Sequence, residues 1–196
     1  MITITSLLMA ALLQQPQQPQ NRPVPSAAQV QQSVTPIPRN AFDSTVAAVS
    51  DVGTKVAELR TSYDLYRRAV YNEPDGAVVQ RATAYGTKCR ALATAALQAQ
   101  RHMAPASVSA SARPALTRYR DNLPSLNRLG QSCGNRMQQL KSRGDERAVA
   151  SAMRNDVQVQ GNQLTQGLTA YEERLHEVRV VMGWEAAAPG ARRPSR

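Results

Sequence analysis

From Phe42 to Val70 an apolar or aromatic side chain recurs every seventh residue, at Phe42, Val49, Val56, Tyr63 and Val70, with Val46, Val52, Leu59 and Tyr66 filling the alternate positions three or four residues on. Only an α-helix turns residues of this spacing onto one side, so four heptads of it predict a long helix packed lengthwise on other helices. Asn40 precedes the stripe as a candidate N-cap, and Asp43 suits the positive start of a helix. The turn cluster Asn72-Glu73-Pro74-Asp75-Gly76 ends it, with Pro74 placed to open the next helix.

The same period returns three times. Val78, Tyr85, Leu92 and Ala99, with Ala82, Cys89, Ala96 and Met103, mark a second helix whose seam is rich in small residues. A Ser/Ala/Pro loop over 104–112 separates it from a third, striped by Leu116, Leu123 and Met137 with Tyr119, Leu126, Cys133 and Leu140. Pro124 interrupts that third helix and predicts a kink or a restart capped by Asn122, because proline removes a backbone donor. Gly144 and Asp145 mark the next boundary, and Ala150, Val157, Leu164, Tyr171 and Val178, with Met153, Leu168, Leu175 and Met182, stripe a fourth helix. Its centre, residues 158–163 (QVQGNQ), is polar and predicts a bend or a hydrated core layer.

Each helix is about 30 residues or a little more, roughly 45 Å at 1.5 Å per residue. Two of the three connections are short, which makes successive helices antiparallel neighbours. The predicted fold is therefore all-α, an up-down-up-down four-helix bundle over residues 40–183. A helical hairpin that completes its core only by dimerising is the other architecture open to this pattern.

The ends differ in kind. Ile2 to Leu13 (ITITSLLMAALL) is an uncharged apolar run of about a dozen residues, short of the roughly 20 that span a bilayer, and reads as an export signal or a short membrane anchor. No Lys or Arg precedes it, and no cleavage site follows promptly. Residues 14–39 form a Pro/Gln-rich linker that reaches about 80 Å if extended as polyproline II. Residues 184–196 form a basic tail that begins at Trp184 and contains Arg192 and Arg193.

The chain carries little recognisable catalytic chemistry. The two histidines, His102 and His176, stand in no haem-attachment motif, and Glu173-x-x-His176 lacks the second copy that a di-iron bundle requires. Neither a nucleophile elbow nor a phosphate-binding glycine loop occurs. The reading is non-enzymatic, with no cofactor and no metal.

Two features remain. Cys89 and Cys133 fall on the buried stripes of adjacent antiparallel helices, although counting from the loop leaves them about 9 Å out of step. They form either one bridge in an oxidising compartment or two inert core thiols. The third helix is the basic one within a chain of net charge +10: Arg113, Arg120 and Arg128 lie on one flank of its polar face, Arg118, Arg136 and Arg143 on the other, against the single acid Asp121. This ridge, with Trp184, Arg192 and Arg193, is either neutralised within the bundle or a docking surface.

These features point to an exported, periplasmic and membrane-associated accessory or structural subunit whose partners are protein subunits of a larger assembly, with anionic lipid as a further contact. A basic nucleic-acid-binding protein and a periplasmic chaperone-like bundle are the alternatives. The export-like N-terminus and the lack of stacking aromatics oppose nucleic acid.

Overall fold

A computed structural model describes residues 39–184, which form four helices: α1 (Arg39–Asn72), α2 (Asp75–His102), α3 (Arg113–Lys141) and α4 (Glu146–Val181). They form an antiparallel four-helix bundle around one continuous core, and no strand occurs among the described residues. The export-signal run, the linker as far as residue 38 and the tail with Arg192 and Arg193 lie outside the described residues.

The stripes become the core. Val49, Val52, Leu59, Tyr66, Tyr85, Leu92, Tyr119, Leu126, Val157, Leu168 and Tyr171 are all buried, together with small residues of α2 such as Ala82, Ala96 and Ala99. Tyr66 stacks on Tyr85 with ring centroids 5.8 Å apart, and Tyr119 meets Tyr171 at 5.7 Å. The phenols of Tyr63 and Tyr66 donate to the backbone carbonyls of Val157 and Met153, tying α1 to α4. These two hydroxyls are satisfied by main-chain carbonyls, whereas those of Tyr119 and Tyr171 are buried without a hydrogen-bond partner.

Several local expectations change. Phe42 is exposed, because the position facing the interior at that level is Thr45, whose hydroxyl pairs with Ser107 at 3.0 Å. The first helix starts at Arg39, so Asn40 sits inside its first turn instead of capping it. Pro74 stands one residue earlier than expected, as the N-cap of α2, and Asp75 supplies the acid of the first turn. Pro124 does not restart α3, which runs unbroken from Arg113 to Lys141 with Pro124 inside it; Asn122 is no cap, and its Oδ1 is buried without a partner. The polar centre of α4 also stays helical. Asp145 caps α4 as expected, its carboxylate accepting from the Ala148 N–H at 2.9 Å, and Gly144 adopts φ +138°, a left-handed conformation that suits glycine.

The α2–α3 connection decides the register. Arg120 bonds the carbonyl of Gln100, and Asn127 bonds that of Ala93, so the two helices run antiparallel with His102 level with Arg118. The first turn of α3 therefore projects beyond the end of α2 by about 7 Å at 1.5 Å per residue. The intervening segment folds beneath it through a 3-10 turn, Pro105–Ser107, and buries Val108 and Ala112. That overhang removes the offset between Cys89 and Cys133 expected from counting.

Candidate functional site

Three groups of residues carry polar chemistry: the arginines of α3, a buried acid on α4, and the cysteine pair between α2 and α3. The arginines separate by neighbour. Arg118 and Arg136 face α4, where Arg118 Nε lies 3.0 Å from Glu177 Oε2, and Arg136 Nε and Nη2 lie 2.9 and 2.7 Å from Asp156 Oδ1. Arg143 follows the end of α3 and is exposed. On the other flank Arg120 Nε donates to the Gln100 carbonyl of α2 at 3.2 Å, Arg128 Nη2 donates to Ser125 Oγ at 3.0 Å, and Arg113 opens the helix in solvent.

The ridge thus divides by flank. The α4 flank is neutralised within the bundle at Arg118 and Arg136. Among the described residues no carboxylate lies within ion-pair distance of Arg113, Arg120 or Arg128.

The structure adds two arginines that sequence reading missed. Arg90 and Arg101 lie on the side of α2 that borders α3, and Arg90 Nη1 donates to the Gly134 carbonyl at 3.3 Å. With Leu97, Asn127 and Gln131 they line an open groove of about 370 Å³ between the two helices. A helical wheel of α2 places Arg90, Leu97 and Arg101 together, but only the register identifies α3 as their neighbour.

The second group is a polar layer inside the bundle. Asp156 is 5% exposed; its Oδ1 takes both bonds from Arg136, and its Oδ2 accepts from Gln160 Nε2 at 2.8 Å. The carboxylate in turn raises the Arg136 pKa above its ordinary value. Asp156 and Gln160 lie between Met153 and Leu164 at helical spacing, so the stripe located them, while their polarity hid them as core residues. A cleft of about 460 Å³ opens beside this layer, lined by Asn135, Gln139 and Gln163 among others. Its lining contains no histidine and no second carboxylate to form a general acid–base pair with Asp156.

Elsewhere the interior is the apolar and aromatic core. Burial raises the phenol pKa values of Tyr66, Tyr85, Tyr119 and Tyr171 above their ordinary value. His102 and His176 are exposed on different helices, and no three metal-ligating side chains converge among the described residues. Trp184 follows α4 half-exposed and borders a concavity of about 480 Å³ with Val46, Val49 and Leu175, along the seam of α1 and α4.

The cysteines meet. Cys89 and Cys133 have Cα atoms 5.9 Å apart and their sulfurs at bonding distance, linking the middles of α2 and α3 across 44 residues of sequence. The close approach depends on Gly130, where a Cβ would fall 2.5 Å from the Cys89 carbonyl oxygen and 2.8 Å from the Ala93 nitrogen.

No described helix is long and apolar enough to cross a membrane. Comparison of the chain with protein-family models, curated proteins and solved structures finds no match.

Proposed function

We propose that this chain is a non-enzymatic exported helical protein, a structural or accessory subunit that docks through its outer faces on a larger membrane-associated or envelope assembly. The observation that carries the reading is the contrast between one continuous apolar core and an uneven surface charge. Every α-helix contributes to one core, while the net positive charge of the helices sits on the adjacent pair α2 and α3. Such a molecule presents charged surface to partners.

Export is supported by two independent features. The apolar Ile2–Leu13 run has the length of a signal core or short anchor. The Cys89–Cys133 pair suits an oxidising compartment, where a bridge between them would persist. Anionic groups on a partner, carboxylate or phosphate, would meet the forked donors of arginine.

Gentle purification of the tagged full chain from native membranes, followed by mass spectrometry, tests the reading. Stable co-purification of the same envelope proteins supports it. Recovery solely as a free monomer in the soluble fraction would refute it, and the mature N-terminus is read from the same sample.

The concavity beside Trp184 favours the chaperone-like alternative, because the half-exposed Trp184 and the partly buried Val46 would offer apolar surface to a client. Suppression of a model client's aggregation that is lost in Trp184→Ser would support that alternative.

A further inference from the structure

The charge of the bundle is divided by helix. The pair α2 and α3 carries ten lysines and arginines against two acids, Asp75 and Asp121, whereas α1 and α4 together carry nine against nine. The helical net positive charge therefore sits entirely on two adjacent helices. Within that pair Lys88 is paired with Glu58 of α1, and Arg118 and Arg136 are paired with α4. Seven basic residues of the pair remain, Arg81, Lys141 and five arginines that serve the α2–α3 face: Arg90, Arg101, Arg113, Arg120 and Arg128.

We propose that this α2–α3 face binds the phosphate headgroups of an anionic membrane surface; the inference rests on the membrane-associated reading above and names the partner of one face. The geometry suits phosphate. Arg90 and Arg120 each donate once to a carbonyl of the opposing helix, Gly134 and Gln100 respectively. That bond holds the guanidinium in place, while its other N–H donors, five per arginine in all, stay available as a fork. Between them Leu97 is 36% exposed above Ala93, so the arginine stems and Leu97 form an apolar floor at headgroup level.

The sequence supplies a second membrane signal. A short apolar anchor alone gives marginal, reversible attachment, and a polybasic patch beside it makes attachment stable. Residues 14–38 separate the Ile2–Leu13 run from α1 along the sequence. Nucleic acid fits this face less well. Its neighbouring aromatics, Tyr85 and Tyr119, are buried, so bases would find no stacking platform.

The test uses the purified full chain and vesicles of phosphatidylcholine with or without phosphatidylglycerol. The chain is expected to bind the phosphatidylglycerol vesicles, to release as salt rises, and to ignore pure phosphatidylcholine. Replacing Arg90, Arg101, Arg120 and Arg128 by Gln should weaken binding by about five-fold per arginine, on the order of several hundred-fold together. A charge-matched variant with Arg67, Arg68, Arg147 and Arg174 changed to Gln should keep most of the affinity. If removing the Arg90 and Arg120 bonds unsettles the fold, Arg101→Glu with Arg128→Glu breaks no interhelix bond and should abolish binding alone.

Equal binding to both vesicle types, equal losses in the two four-site variants, or binding of duplex DNA without binding of vesicles would each overturn the proposal. Vesicles contain no other protein. Indifference to them, with envelope proteins still co-purifying, defeats the lipid inference and leaves the subunit reading standing.

Discussion

Substituting Gly130 by alanine sets two opposite effects against each other, and the structure decides which wins. In a helix interior Gly→Ala ordinarily stabilises by about 1 kcal/mol, because alanine forfeits less backbone entropy. At Gly130 the new methyl would stand 2.5 Å from the Cys89 carbonyl oxygen, 2.8 Å from the Ala93 nitrogen and 2.9 Å from the Ala93 Cβ. Two of these are main-chain atoms of α2, which no rotamer change can move aside. Relief requires the helices to part by about 1 Å, and a gap of that size forfeits roughly a quarter to a half of each contact's attraction along the seam. Overpacking of this kind costs about 1–3 kcal/mol, and the upper end applies where backbone meets backbone. The net expectation is a loss of about 2 kcal/mol, a fall in Tm of roughly 4–8 °C for a domain of this size.

Gly53→Ala is the matched control. There the methyl meets only the Tyr171 hydroxyl, at 3.7 Å, an ordinary contact, so the propensity gain should survive and raise Tm by roughly 2–3 °C. Both variants would be compared with the parent by thermal and urea denaturation under oxidising conditions. If Gly130→Ala stabilised the protein as much as Gly53→Ala, the close α2–α3 seam described above would be wrong.

Three further outcomes follow from the same geometry. The oxidised protein should take up no thiol alkylator until reduced; a bridge closing 44 residues of separation should add about 4 kcal/mol on the chain-entropy model, read as the difference between the parent and Cys89→Ala/Cys133→Ala. Arg136→Gln leaves the buried Asp156 carboxylate without its cation and should cost about 1.5–3 kcal/mol, the low side applying because the guanidinium is itself 39% exposed; if adding Asp156→Asn recovers none of that loss, the pair is not coupled. The four buried phenols have folded pKa values above the ordinary 10.0, so the stability they contribute is fully present below about pH 10 and is lost as pH rises toward the folded values. An ultraviolet titration should show these tyrosines ionising together with alkaline unfolding, and their smooth ionisation in a protein that keeps its helicity would contradict their burial.

Much of the bundle was legible in the chain because helical periodicity is local. Leu59 and Tyr66 fall seven residues apart on one stripe, Asp145 shows a cap by its side chain, and Asn72-Glu73-Pro74 breaks a helix without reference to the rest of the fold. The wheel of α3 likewise separated Arg118 and Arg136 from Arg113 and Arg120. What periodicity cannot supply is the identity of the neighbour on each side. Phe42 continued the stripe but overhangs the core, where Thr45 meets Ser107 from 62 residues away.

The sequence by itself therefore determined the helices, their inward faces and the excess of positive charge, since each depends on residues within a few turns. Tertiary structure decided the rest: that α3 overhangs α2 and so brings Cys89 to Cys133, that Asp156 buries itself against Arg136, and that Arg90 and Arg101 join Arg120 and Arg128 on one face. These pairings lie roughly 20 to 45 residues apart along the chain. They are fixed by how two helices slide and rotate against each other until their side chains interdigitate, a choice made by packing across the seam.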